Sequence, residues 1–170
     1  MIDERFVSLD HQDSNYGLAY NLFIRYLFKQ KKLPHKNIHP FIYHKLPKNQ
    51  AIRAYKNELR EISHKYDIIL LSSGPDGHVA SLFPNHETIK SPIDYFIITE
   101  SSPKIPKKRM SASRKLLIRS KTGILLFFGE KKKKAYENFL DKNLTEFDCP
   151  AKIIKKIKDS YVLLDTDARN

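Results

Sequence analysis

The sequence contains a single cysteine, Cys149. That excludes an intramolecular disulfide and, with no other thiol beside it, a thiolate zinc cluster, so the side chain reads as a buried or bystander thiol. No apolar run approaches the roughly 18 residues that a membrane-spanning helix needs. Nor is Met1 followed by the basic-then-apolar pattern of a secretory leader. Both absences point to a soluble, cytosolic protein with no membrane partner. The histidines show no metal-ligand spacing, so no metal is expected. Internal repeats and linker-like stretches are absent as well, and the 170 residues are expected to form one domain, 1–170, large enough to bury a core of its own.

What is present is a globular composition, 41% hydrophobic, with a strong excess of basic charge. The net charge of +12, from 31 basic and 19 acidic side chains, suits polyanionic partners: phosphorylated metabolites, nucleic acid or acidic membrane surfaces. Residues 104–121 carry eight Lys or Arg and no acid, and Lys131 to Lys134 form a run of four. Such runs also serve as plain solvated faces, and for Lys131, Lys133 and Lys134 that is the better reading. Nucleic acid is disfavoured as the partner, because Phe127 and Phe128, the aromatics near this basic stretch, fall in a strand and offer no stacking platform.

Hydrophobic periodicity places the elements. Ser14 is a plausible N-cap for a helix over 15–30, and Ile52, Tyr55, Leu59 and Ile62 share one face of a second helix over 50–65. FIYHKL, at 41–46, reads as a short strand. The run YDIILLS, at 66–72, is too continuously apolar for a half-exposed strand and suits a sheet covered on both faces. Further strands are expected at 95–99, 122–128 and 161–164, and helices at 132–142 and 151–158. Strands alternating with helices imply an α/β sandwich with a mainly parallel sheet.

Ligands of such sheets bind outside the carboxyl ends of the strands, where loops and helix N-termini converge. Four polar clusters follow strands here: Asp3-Glu4-Arg5, GPDGH at 74–78, SSPKIPKKR at 101–109, and GEKKKK at 129–134. Together they would line one crevice. In GPDGH, Gly74 and Gly77 permit tight turns and close approach of a substrate to the backbone. An imidazole is a base suited to neutral pH, so His78 could take a proton from water, with Asp76 orienting or polarising it. The following ASLF could begin a short helix whose N-terminal amides favour an anion. Arg5 and Arg109 could grip phosphate through paired N–H bonds, while Lys132 supplies point charge. A catalytic base beside an anion clamp is what hydrolysis of a phosphorylated ester requires.

DERFVSLDHQDSNY, GPDGHVASLFPNH, SSPKIPKKRMS, the GEKK turn and CPAKIIK…YVLLDTDA occur in the order and spacing of 6-phosphogluconolactonases. The resemblance runs from residue 2 to about residue 168. The related glucosamine-6-phosphate deaminases share the Asp-Gly-His core but continue toward an Asn-Glu-Pro pattern. Here the continuation is Ser81-Leu82-Phe83-Pro84, which favours the lactonase.

The resemblance implies the fold shared with those deaminases and with ribose-5-phosphate isomerase, a three-layer α/β/α sandwich. It also implies hydrolysis of 6-phosphoglucono-1,5-lactone to 6-phosphogluconate in the oxidative pentose phosphate pathway, with no cofactor or metal. By that likeness His78 would activate water, Asp76 would support it, and Arg5, Arg109 and Lys132 would bind phosphate or stabilise developing negative charge.

Two departures stand beside the likeness. Members of the family usually begin with a strand, a helix and a Ser-Gly-Gly-Ser-Thr-Pro type turn that cradles phosphate, and this sequence starts after that unit; the sandwich is therefore expected to be truncated at its N-terminus. Position 72 is serine where glycine is general. Alternative readings are an amino-sugar phosphate deaminase or isomerase of the same fold, and an inactive fragment or partner subunit. The sequence fixes no oligomeric state.

Overall fold

The computed structural model describes residues 1–43 and 47–169. Six strands divide between two sheets: β1 (Asp3–Arg5), β2 (Ile68–Ser72), β3 (Phe96–Thr99), β4 (Arg109–Ala112), β5 (Thr122–Phe127) and β6 (Asp159–Leu164). One sheet is parallel, in the order β2-β5-β6, with Ile68 opposite Thr122 and Thr122 opposite Asp159. The other is antiparallel, in the order β1-β4-β3, with Arg109 directly opposite both Arg5 and Thr99. The α/β class expected from the alternation of strands and helices holds.

The first helical stretch begins where the sequence places it. Ser14 Oγ accepts from Gly17 N at 2.9 Å and opens α1 (Asn15–Ala19), which continues through a π-helical segment (Tyr20–Ile24) into α2 (Arg25–Lys29). The buried Glu4 carboxylate accepts from Asn15 N and Tyr16 N, so an acid sits against the positive end of this helix and ties it to β1. The long helix α3 (Lys48–Ile62) packs on β3, and an aromatic cluster joins Phe6, Phe41, Tyr55 and Phe96 with ring centroids 5.0 to 5.5 Å apart.

Past β2 come α4 (Glu87–Lys90) and α5 (Arg114–Ile118), then α6 (Lys133–Leu140) and α7 (Thr166–Arg169), with 3₁₀ turns at Glu130–Lys132 and Pro150–Lys156. The inner face of the parallel sheet, Ile69, Leu71, Leu125 and Phe127, is buried with Ile153, Ile154, Ala135 and Phe139 in one core. Among the described residues no helix is long and apolar enough to cross a membrane.

Four local expectations are corrected. Residues 41–43 form no strand, because Phe41 is drawn into the aromatic cluster, and the rest of the expected strand at 41–46 lies outside the described residues. The run YDIILLS is covered on one face only. Ile68 and Leu70 are 66% and 60% exposed while Ile69 and Leu71 are buried. Continuous hydrophobicity marks both faces as apolar; it does not supply a cover for each. The helix expected at 151–158 is a 3₁₀ helix, opened by Pro150, whose ring suits a first turn. Finally, ASLF does not begin a helix: Ala80 has φ +52° and Val79 bridges Leu82 in a tight turn. There the Ser81 amide donates to Ser111 Oγ and its hydroxyl to Asp3, bonds across the antiparallel sheet that a helix would forgo.

Candidate active site

At the end of β2, Ser73 N still donates to Leu126 O at 3.0 Å, after which the chain turns on itself. Gly77 N reaches Gly74 O at 3.0 Å and Gly74 N reaches His78 O at 2.8 Å. Gly77 has φ +84°, a conformation that L side chains rarely adopt, and a Cβ there would lie 2.8 Å from Cys149 Sγ. A Cβ on Gly74 would lie 2.0 Å from two ring atoms of His78. One glycine makes the turn and the other leaves room for the imidazole.

The His78 ring rests against Phe83, 4.9 Å between centroids, and its Nδ1 bonds Asp76 Oδ1. A carboxylate only accepts, so Nδ1 carries the hydrogen and the neutral ring keeps its lone pair on Nε2. The side chain is 18% exposed, within reach of water. Burial opposes ionisation of Asp76, but the hydrogen bond from His78, the charge of that ring whenever it is protonated, and Lys104 at 3.2 Å from the other oxygen hold its carboxyl well below the usual carboxylate range. Such an arrangement has the geometry that a base and its orienting acid require.

Next to it lies a cavity of about 370 Å³ whose walls include His78, Asp3, Arg5, Asn15, Arg109 and Lys132. Arg5 and Arg109 face each other across β1 and β4, and like charges directly opposite on a sheet are destabilising. An anion between them would relieve that repulsion. Burial lowers the Lys132 ammonium pKa, with Asp76 opposing and Lys104 adding to the fall. Burial also pushes the Asp3 carboxyl up, against the hydrogen bond it accepts from Ser81 Oγ at 2.9 Å.

The structure thus gathers Arg5, Gly74, His78, Arg109 and Lys132 around one cavity, with Asp76 behind His78. Gly77 stands beneath the loop, against Cys149. The Arg109 guanidinium is already engaged through Nε and Nη2. Its Nε donates to Pro106 O at 2.8 Å and its Nη2 to Lys104 O and Ile105 O, because the side chain is 3% exposed and must satisfy its donors inside the protein. Arg109 therefore brings a buried charge to the cavity and pins the 104–106 loop. Arg5 is similarly engaged, through Nη1 to Asp13 O and Asn15 Oδ1, while its Nε is buried with no hydrogen-bond partner.

Sequence reasoning missed Asn15, Ser81 and Lys104. Lys104 stands among eight like charges in residues 104–121 and carries no distinguishing mark; Asn15 reads only as the start of a helix. A larger cleft of about 590 Å³, with His39 Nδ1 and Glu58 Oε1 2.6 Å apart on its wall, is mostly apolar and gathers no comparable set of cations.

The family described as glucosamine-6-phosphate isomerases/6-phosphogluconolactonase matches residues 1–163. The chain is 36% identical over 163 residues to a 6-phosphogluconolactonase of Borreliella burgdorferi, covering 96% of this chain and 69% of that protein. Among solved structures it is similar to a 6-phosphogluconolactonase from Thermotoga maritima, with TM-score 0.79 and 30% identity over 96% of this chain and 69% of that one. A monomeric glucosamine-6-phosphate deaminase shares the fold, with TM-score 0.76 and 23% identity over 98% of this chain and 71% of the other.

Proposed function

The chain belongs to the glucosamine-6-phosphate isomerase/6-phosphogluconolactonase family, and on that premise we propose that it is a carboxylic ester hydrolase converting 6-phosphoglucono-1,5-lactone to 6-phosphogluconate in the oxidative pentose phosphate pathway. The observation that carries this reading is the His78–Asp76 pair on the rim of a cavity whose walls also hold Arg5, Arg109 and Lys132.

His78 Nε2 takes a proton from a water molecule as the water oxygen bonds to the lactone carbonyl carbon. The carbonyl electron pair moves onto oxygen, and the alkoxide forms beside Arg5 or Lys132, which stabilise it electrostatically. When the alkoxide collapses, the bond from the carbonyl carbon to the ring oxygen breaks and the imidazolium returns its proton to that oxygen. The sugar chain opens to a carboxylic acid, which ionises. Asp76 stays ionised throughout and steadies the imidazolium. The cations not facing the alkoxide hold the phosphate. These steps need only water and the chain's own side chains, and the proposed location is the cytosol.

The test is lactone hydrolysis by the purified chain above the spontaneous rate. His78→Ala is expected to lose the roughly 10²–10⁴-fold that a positioned base supplies, with an unchanged circular dichroism spectrum. Wild-type turnover in that variant overturns the assignment. A deaminase of the same fold would instead release ammonia from glucosamine 6-phosphate, and the Ser81-Leu82-Phe83-Pro84 continuation argues against that outcome.

A further inference from the structure

We propose that Lys104 is the positioning residue of the His78–Asp76 pair: reaching over from the 101–108 loop, its ammonium holds the second carboxylate oxygen of Asp76 and so fixes the plane in which the first meets the imidazole. The inference rests on the assignment of His78 as the base.

The geometry around Asp76 divides its two oxygens between two loops. Oδ1 accepts from His78 Nδ1 and, at 3.4 Å, from His78 N. Oδ2 lies 3.2 Å from Lys104 Nζ. Asp76 is 36% exposed, so with His78 as its sole partner the carboxylate could turn about its last bond and take water in place of the ring. An ammonium on the opposite oxygen removes that freedom. A pair this exposed contributes little to stability, typically about 0–1 kcal/mol, so its value lies in orientation.

Lysine is a flexible residue, and it can set a position only if its backbone is held. Lys104 N donates to Ser102 Oγ at 3.1 Å, and Ser102 Oγ donates back to Lys104 O at 2.9 Å. Arg109 Nη2 donates to Lys104 O at 3.3 Å and to Ile105 O at 3.1 Å. The Arg109 guanidinium lies over the ring of Phe83, 5.7 Å from its centroid, and Phe83 is the surface on which His78 packs. Lys104 is therefore anchored to the same body as the imidazole it serves, and the contacts close a circuit through Asp76, Lys104, Arg109, Phe83 and His78.

Among the described residues, Lys104 and Lys132 both act on Asp76 electrostatically, and their roles separate by place. Lys132 lines the cavity, where a substrate would sit; Lys104 is not on its walls. Lys104 acts through Asp76, and Lys132 toward the ligand.

Two variants test this. Lys104→Met keeps the aliphatic stem and removes the charge; Lys104→Arg restores it. Lys104→Met is expected to lower kcat on the order of tenfold, a part of the base's own contribution, while KM for the lactone stays within about twofold and Lys104→Arg recovers most of the loss. In the substrate-free protein, ring ¹⁵N shifts of His78 report the tautomer: wild type is expected as Nδ1–H and Lys104→Met as a mixture of the two. Wild-type kcat and ring shifts in Lys104→Met overturn the inference, and so does a rise in KM with kcat unchanged, which would make Lys104 a substrate contact. If the wild-type chain hydrolyses no lactone, the functional reading fails and the ¹⁵N arm alone decides the role of Lys104.

Discussion

The polar end of β2 and the strand's outer face are held in opposite ways. Where β2 runs out, residues 73–78 are crossed by backbone hydrogen bonds to Leu126, Gly74 and His78, and their polar side chains are engaged: Ser73 Oγ donates to Gly74 O, His78 Nδ1 to Asp76, and Lys104 Nζ lies 3.2 Å from Asp76. On the strand itself, Ile68 and Leu70 project from the core, as do Leu18, Leu22 and Phe23 on the first helical stretch. Burial is a bulk, non-directional preference, and it can go unmet at one face without disturbing the other. A hydrogen-bonded loop has no such tolerance, since each buried donor left without an acceptor costs about 1–3 kcal/mol. Precision therefore concentrates at the mouth of the cavity, and latitude along the outer sheet.

Disturbing the mouth should have the largest effect. Gly74→Ala places a methyl group where the imidazole lies, without a backbone conformation that forbids it. We expect kcat to fall by roughly 10²-fold or more, with a melting temperature close to wild type. A variant with wild-type kcat would count against His78 acting from the position it holds here.

The two faces of β2 can be compared directly at adjacent isoleucines. Ile69 is 1% exposed and Ile68 is 66% exposed. Ile69→Ala should cost about 2–5 kcal/mol in urea unfolding. Between these extremes lies a pH effect. The depressed Asp76 carboxyl contributes stability above the ordinary aspartate pKa of about 4, and that contribution disappears as pH falls through the lower folded-state value. Asp76→Asn should therefore melt below wild type at neutral pH, with the gap closing as the buffer is taken below about pH 4. A gap that widens in acid would reverse the sign of the shift. The smallest effect is expected for Ile68→Ala, within about 0.5 kcal/mol of wild type; a cost comparable to that of Ile69→Ala would show the outer face to be covered in solution.

The sequence made some of this legible and hid the rest for identifiable reasons. Ser14 stood out as a cap because a hydroxyl before an apolar-periodic run has one common use, and the structure places it so. The loop bearing His78 was legible because two glycines, a proline and a carboxylate crowd a strand end. Arg109 was visible as a cation, but its service to the carbonyls of residues 104–106 depends on a fold-back that residue spacing does not encode. β4 and α5 went unseen. Basic residues and prolines dominate 103–115, whereas burial of Met110, Leu116 and Leu117 decides the outcome there. The ASLF turn was misread because its alternative partners, Ser111 and Asp3, come from distant strands.

Beneath the loop, the turn at Gly77 rests on Cys149, and the Ala151 amide bonds Gly77 O at 2.8 Å. The thiol thus serves as a spacer of fixed thickness between the C-terminal part of the chain and the loop that carries His78. Bulk added at position 149 would press on the Gly77 turn. Positions 77 and 149, far apart along the chain, share a single steric allowance and should vary together over time, small against small.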